Sequence, residues 1–327
     1  MSPDRITEPL YERLAIIGCG LIGGSVARAA RARGLAGEIV VGEREPALGR
    51  VKALGLADRA TADLAEAVAG ADLVLYATPV GAIGAAAAQA APAYRPGATI
   101  TDVGSVKGAA TRAMLASAPP GVFVIPGHPI AGTEHSGPDA GFAELFENRW
   151  VILTPQARNQ GEAAYDAAID RLAAFWAGMG ANVERMDEHH HDLVLAVTSH
   201  LPHLIAYNIV GTAADLEQVT QAEVMKYSAG GFRDFTRIAA SDPIMWRDVF
   251  LNNKDAVLVI LGRFTEDLQA LSRAIRWGEG DKLQELFTRT RAIRRGIIEA
   301  GQETAEPDFG RHHGGASVAS PAGEHEA

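Results

Sequence analysis

The chain reads as α/β: a doubly wound parallel sheet in the N-terminal half, followed by an all-α C-terminal domain. Three observations predict this. Short β-branched runs alternate with alanine-rich helical stretches up to about residue 185, the pattern of a parallel sheet covered on both faces. A glycine-rich turn, GCGLIGGS at 18–25, joins the first run to the first helical stretch. From Asp187 onward long amphipathic patterns continue with no convincing strand.

The elements follow in order. LAII at 14–17 is a short apolar strand, and 26–33 has helical composition. EIVVG at 38–42 is the second strand. Residues 64–93, the most apolar region, are interrupted by Asp72, Pro79 and several glycines. They read as helix, buried strand (72–77) and helix, and not as a membrane span. TITDV at 99–103, VFVI at 122–125 and WVIL at 150–153 supply further strands. Beyond the change of character near Val183, Asp187 is a helix N-cap, and Asp242-Pro243 combines a cap with proline at the first helical position. Residues 245–277 predict one or two long helices and 281–300 another. These patterns place one domain at 11–185 and a helical one at 186–302, with a disordered tail at 303–327 rich in Gly, Ala, Ser, Pro, Glu and His.

A chain of 327 residues has room for two ordinary domains. With 47% hydrophobic and 21% charged residues it has the composition of a soluble globular protein. A net charge of −10 argues against nucleic-acid and anionic-membrane partners, so an anionic ligand would need locally placed arginines. The one cysteine, Cys19, excludes an internal disulfide and fits a reducing cytoplasm. The acidic, proline-containing N-terminus is not a signal peptide.

Gly18, Gly20 and Gly23 form G-x-G-x-x-G between strand and helix, with Glu43 twenty residues after Gly23. The glycines permit a tight turn and close approach of a pyrophosphate to the free N–H groups of the helix N-terminus, the Rossmann-like arrangement. Leu21 and Ile22 lie within that turn, and Thr78 and Pro79 end another strand at the same edge of the sheet. Glu43 would accept from the adenosine ribose hydroxyls and repel a 2′-phosphate, favouring NAD. Arg44 beside it is able to hold such a phosphate, which keeps NADP open.

His128 stands between Pro126 and Pro129 in GHPIAGTEHSG at 127–137, a stiff loop around one titratable group, as a general base requires. A surface or capping histidine is the competing reading. Ser105, in DVGSVK at 102–107, either orients a nearby imidazole or contacts the nicotinamide, or caps a helix; both roles are compatible. In TSHLPH at 198–203 the proline is expected to kink a helix and turn Ser199 and His203 away from regular packing; ordinary polar positions on a helix are the competing reading. Residues 229–239 place Arg233 and Arg237 around a glycine-framed turn, where a guanidinium binds carboxylate in bidentate fashion or pairs with Asp234 at the surface. His189, His190 and His191 suggest no metal site, because consecutive helical residues point about 100° apart.

In combination these blocks resemble the prephenate/arogenate (cyclohexadienyl) dehydrogenase family of tyrosine biosynthesis. The resemblance rests on GCGLIGGS, DVGSVK, GHPIAGTEHSG, TSHLPH and GGFRDFTRIAASDPIMWR (230–247), in family order from about residue 13 to 300. It implies oxidative decarboxylation of a cyclohexadienol with NAD, and a helical domain that forms a homodimer. It also implies that His128 accepts the ring-hydroxyl proton with Ser105 beside it. Arg237 would bind a substrate carboxylate, with His203, Ser199, Thr133, Gly230 and Trp246 as further substrate contacts. Glu134 and Asp234 would stand at the pocket mouth, and His135 at its rim. No metal is required, because aromatisation drives loss of CO₂. Activity should fall as pH drops through the His128 pKa, near 6.5 for an ordinary imidazole. Family members often carry an extra regulatory or chorismate mutase module, for which this chain has no room.

Two other classes compete. A β-hydroxyacid or imine-reducing dehydrogenase would carry a lysine or acid as proton carrier on the helical domain and leave the His128 loop unexplained. A regulator that senses NAD without turnover would lack the histidine–arginine set, which is present here.

Overall fold

The computed structural model describes residues 8–133, 135–156, 159, 161–216 and 230–299. Two compact units divide the chain, residues 1–261 and 262–327.

In the first unit, β1 (Tyr11–Ile17), β2 (Ala36–Gly42), β3 (Arg59–Thr61), β4 (Leu73–Tyr76), β5 (Thr99–Asp102) and β6 (Phe123–Val124) form one parallel sheet in the order β3-β2-β1-β4-β5-β6. The order reverses between β1 and β4, and such a switch point opens a crevice at the carboxyl ends of the strands. The intervening helices are α1 (Leu21–Arg33), α2 (Ala47–Ala53), α3 (Leu64–Val68), α4 (Ile83–Ala90) and α5 (Lys107–Leu115).

Period-two alternation sends each strand's apolar residues to both faces. Leu14, Ile16, Leu73 and Leu75 join the cluster that contains Val26, Tyr165, Phe175 and Trp176. Ala15, Ile17, Val74 and Tyr76 join the opposite cluster with Ile83, Ala87, Ala110 and Met114. Sequence patterning anticipated this two-sided burial. Trp176 on α6 (Ala163–Gly178) is fully buried against Phe146 at 5.2 Å between ring centroids, and truncating it to alanine would cost about 3–5 kcal/mol.

The structure corrects the expectation of a single sheet. A second sheet pairs β7 (Gly127–Pro129) antiparallel with β8 (Trp150–Leu153), and β8 parallel with β9 (Asn182–Arg185). The His128 segment is therefore a strand and not a loop: Pro126 and Pro129 bracket so short a run that no pattern marks it. Likewise β3 and β9 are three or four residues long and carry exposed charges at Arg59, Glu184 and Arg185, which hid them from hydrophobic patterning.

Past β9, α7 (Glu188–Leu195) begins at Asp187, whose carboxylate accepts from the His189 and His190 N–H groups. A π-helical turn at Ala196–His200 carries it into α8 (Leu201–Leu216). Pro202 lacks an N–H for the carbonyl four residues back, and the helix answers with a wider turn. By length and composition helix 188–215 would pass for a membrane span, but it buries His191, Asp192 and His200 within the protein.

The glycine-framed turn expected at 229–239 is helical over its described part: α9 (Gly230–Thr236) followed by a 3₁₀ turn at Arg237–Ala240. Asp242 caps α10 (Pro243–Asn252) through the Ile244 and Met245 N–H groups, with Pro243 in the first turn. Then come α11 (Lys254–Arg276) and, within the second unit, α12 (Gly280–Glu299). The expected disordered tail lies outside the described residues.

Candidate active site

The glycine turn ends β1 at the switch point. Gly18 has φ +90°, and a Cβ there would stand 2.9 Å from the Ala77 carbonyl. At Gly23 a Cβ would meet the Gly18 carbonyl oxygen at 2.2 Å, so helix and strand pack too closely for any side chain. Gly20 differs: nothing lies within 4 Å of its Cβ position. It caps α1 without any side-chain hydrogen bond, so space and uncapped N–H groups coincide at the helix N-terminus. Leu21 and Ile22 open the helix and pack against the core. Thr78 lies against Gly18 with a buried Oγ1 that has no hydrogen-bond partner, next to exposed Pro79.

Glu43 follows β2 directly, with one carboxylate oxygen accepting the Cys19 N–H at 2.7 Å and the other the Arg44 N–H at 2.8 Å. Its charge is thus fixed beside the turn, and Arg44 points into solvent-exposed space. Cys19 is buried; burial and the Glu43 charge push its thiol up to about 12, which leaves it inert at neutral pH. Cradle, uncapped helix start and fixed carboxylate together fit a dinucleotide.

Lys107 and Asp102 build the floor of the neighbouring region. Both side chains are fully buried, and Lys107 Nζ donates to Asp102 Oδ2 and to the Gly127 carbonyl, each at 2.5 Å. Asp102 also accepts from the N–H groups of Gly104 (2.8 Å) and Gly127 (3.3 Å). Burial pushes the carboxyl up and the ammonium down, and each partner's charge opposes the other's shift. The pair clamps β7, and so His128, to the carboxyl end of β5.

His128 is buried, with Nδ1 2.9 Å from His191 Nε2. His191 Nδ1 in turn lies 2.9 Å from Asp192 Oδ1. Asp192 accepts the Lys107 and Gly108 N–H groups at 2.7 and 2.9 Å, which makes it the cap of α5. Ser105 is half-buried, and the backbone N-cap of α5 is Val106, so the capping alternative for Ser105 does not hold. Asn253 Nδ2 ties the Asp192 carbonyl (2.8 Å) to His200 Nδ1 (3.0 Å).

Burial first, and then the charges of His191, Lys107 and His200, hold the His128 pKa well below the ordinary imidazole value. His200 is pushed down to about 4 by burial, and the nearby His203 contributes. His203 donates from Nδ1 to the Ser199 carbonyl at 2.9 Å and stacks on Trp246, with ring centroids 3.6 Å apart. Burial and the Arg237 charge lower the His203 pKa as well. His128, His200, His203 and Arg237 therefore lie within successive electrostatic reach. Trp246 packs with Val80, which follows Pro79, and with Val106 of the Ser105 turn.

Not every expected residue joins this set. Asp234 is exposed and lies 3.5 Å from exposed Arg233. Thr133 accepts the His135 N–H at 3.2 Å, and His135 is exposed. Gly230 is exposed at the start of α9, and Glu134 lies outside the described residues. His189 and His190 are exposed, and among the described residues no cluster of three metal-ligating side chains exists. Sequence reasoning missed His191, Asp192, His200 and Asn253, and gave Asp102 and Lys107 no role. One signal was present: His191 precedes buried Leu195 by four residues and so shares the inward face of α7.

The fold and the glycine cradle define a class, the dinucleotide-binding dehydrogenases with a helical second domain. Family models narrow it: "Prephenate dehydrogenase, nucleotide-binding domain" matches residues 26–185, and "Prephenate dehydrogenase, dimerization domain" matches 187–289. The chain belongs to the prephenate dehydrogenase family. It is 43% identical over 288 residues to a cyclohexadienyl dehydrogenase of Zymomonas mobilis, covering 87% of this chain and 96% of the relative. It is 34% identical to a prephenate dehydrogenase of Bacillus subtilis, covering 85% and 73%. Among solved structures, the prephenate dehydrogenase of Aquifex aeolicus in complex with hydroxyphenyl propionate and NAD+ superimposes with a TM-score of 0.79 at 33% identity, covering 88% and 98%.

Proposed function

We propose that the chain catalyses oxidative decarboxylation of prephenate and/or arogenate with NAD, yielding 4-hydroxyphenylpyruvate and/or tyrosine plus CO₂. The observation that carries the mechanism is His128, buried, kept neutral, and clamped at the carboxyl end of β5, a strand of the sheet that carries the glycine cradle. The names of the relatives and the NAD-bound structure of one of them support the substrate class and the cofactor.

Gly18, Gly20 and Gly23 with the start of α1 would hold the pyrophosphate, Glu43 the adenosine ribose, and Thr78 and Pro79 the approach to the nicotinamide. Bound oxidised nicotinamide supplies the hydride acceptor. His128 takes the proton of the ring hydroxyl, so the O–H electron pair becomes the C=O bond as hydride leaves the same carbon. Loss of CO₂ then makes the ring aromatic: the C–C pair enters the ring, the carbonyl oxygen becomes a phenolate, and His128 gives back the proton to form the phenol. Ser105 would stand beside the base. Arg237 would bind the substrate carboxylate, with His203, Ser199 and Trp246 shaping its surroundings and Thr133, Gly230, Glu134 and Asp234 nearer the mouth.

Residues 11–185 serve as the dinucleotide domain and 186–302 as the substrate domain in this reading. A homodimer through the helices accords with the description of the second family model and with exposed Leu251, Leu258, Val259, Trp277 and Phe287. The setting is the cytoplasm. The test is a steady-state assay at the reduced-nicotinamide absorbance band, with both substrates against both cofactors, on wild type and His128→Asn. The variant should lose roughly 10²-fold or more in kcat while still binding NAD. Near-normal turnover would remove His128 from the role of base.

A further inference from the structure

We propose that His191 and Asp192 are positioning residues that hold His128 as the tautomer protonated on Nδ1, leaving its Nε2 lone pair as the atom that takes the substrate proton. The inference rests on the reading of His128 as the base. It follows from three contacts, each constraining the next.

Asp192 is the fixed end. Its Oδ1 accepts the Lys107 N–H at 2.7 Å and its Oδ2 the Gly108 N–H at 2.9 Å. Burial opposes the charged carboxylate, but hydrogen bonds from His191, Lys107 and Gly108 outweigh it and hold the group below its ordinary pKa. An ionised carboxylate only accepts. The 2.9 Å contact with His191 Nδ1 therefore places a proton on that nitrogen.

His191 is the coupling. It is fully buried, and burial keeps its imidazole neutral, so with Nδ1 protonated its Nε2 is a bare acceptor. The 2.9 Å contact to His128 Nδ1 then requires the proton to sit on His128 Nδ1. The opposite arrangement would set two lone pairs or two protons face to face at that distance. Since His128 is also neutral, its Nε2 is left as the acceptor. Asn253 steadies the relay by holding the Asp192 carbonyl, and the Lys107 clamp holds the Gly127 carbonyl beside His128. When a proton arrives at Nε2, the Nδ1–H bond to His191 becomes charge-assisted. The groups that bear on the new charge at His128 are Lys107, His191 and His200, which oppose it; Asp192 and Asp102 act on His191, whose charged form they favour and Lys107 opposes.

The relay reaches from α7 to β7, so the geometry of the base depends on a helix some sixty residues away in sequence (positions 128 and 191).

The test reads tautomers directly. In ¹⁵N-labelled full-length protein at pH 8, long-range ¹H–¹⁵N correlation spectra of the imidazoles are assigned by the signals lost in His128→Gln and His191→Gln. Both rings are expected as the Nδ1–H form; an Nε2–H form at either position overturns the proposal. Kinetics add a second arm. His191→Leu removes the acceptor and should lower kcat by roughly 10²-fold, whereas His191→Gln, with an amide oxygen, should retain clearly more turnover. Equal kcat in the two variants, or a loss confined to the substrate KM, also overturns it. If His191→Leu does not fold, the wild-type spectrum decides alone. Full turnover in His128→Asn would refute the base assignment and leave the measured tautomers standing, so the two failures are distinct.

Discussion

Removing the Lys107 ammonium should be among the most damaging single changes outside the reacting groups. Lys107→Met keeps the length of the side chain and deletes the charge, leaving the fully buried Asp102 with the backbone N–H groups of Gly104 and Gly127 alone, at 2.8 and 3.3 Å. The Gly127 carbonyl also loses its donor at 2.5 Å. Breaking a buried pair from one side costs about 3–5 kcal/mol, because the surviving charge is uncompensated. For a chain of this size that corresponds to a fall in Tm of roughly 4–7 °C. The sign of the pH dependence is fixed: without its partner the Asp102 carboxyl is raised above its unfolded value, so the deficit is largest near pH 8 and shrinks as acid neutralises the group. Urea unfolding followed by the fluorescence of the four tryptophans gives the comparison. Asp102→Asn in the Lys107→Met background should recover more than about 1 kcal/mol of the loss. A deficit below about 1 kcal/mol, a deficit that grows on acidification, or no recovery in the double variant would refute the reasoning.

Three further outcomes follow from the geometry. Gly20→Ala meets no neighbour within 4 Å, so it should fold normally yet bind NAD weakly, whereas Gly23→Ala drives its Cβ into the Gly18 carbonyl at 2.2 Å and should lower Tm; calorimetric titration with NAD and thermal unfolding separate the two. The acid limb of the kcat profile should fall below pH 6.5, because burial and the charges of His191, Lys107 and His200 depress the His128 pKa and the base stays neutral to lower pH; a limb at 6.5 or above contradicts this. Arg237→Gln should chiefly raise the substrate KM with NAD binding intact, and an unchanged KM would remove Arg237 from the carboxylate role.

Legibility differed from element to element for physical reasons. The alternation in β1 and β4 was readable because both faces of those strands are buried, and so were the caps Asp187 and Asp242, whose side chains act within three residues. The short strands β3, β7 and β9 were not readable, since three or four residues carry no period and their stability comes from neighbours distant in sequence. His128 was conspicuous from its prolines, yet its setting was misjudged as a loop, and the size and direction of its pKa shift were not legible. Both have one cause: burial is contributed by β8, α5 and α7, none of which adjoins residue 128.

The sequence by itself determined the parallel sheet, the glycine cradle with Glu43, the change to helices near residue 187 and the family, because these depend on local period, turn chemistry and ordered motifs. Only the tertiary structure decided that Lys107 is a clamp, that Asp192 caps a helix 85 residues earlier in the chain, and that His191 faces His128. Those contacts join residues whose types were plain but whose partners lay across the fold. Their chemistry, an acceptor-only carboxylate against two neutral rings, exists only once burial and 2.9 Å separations are in place.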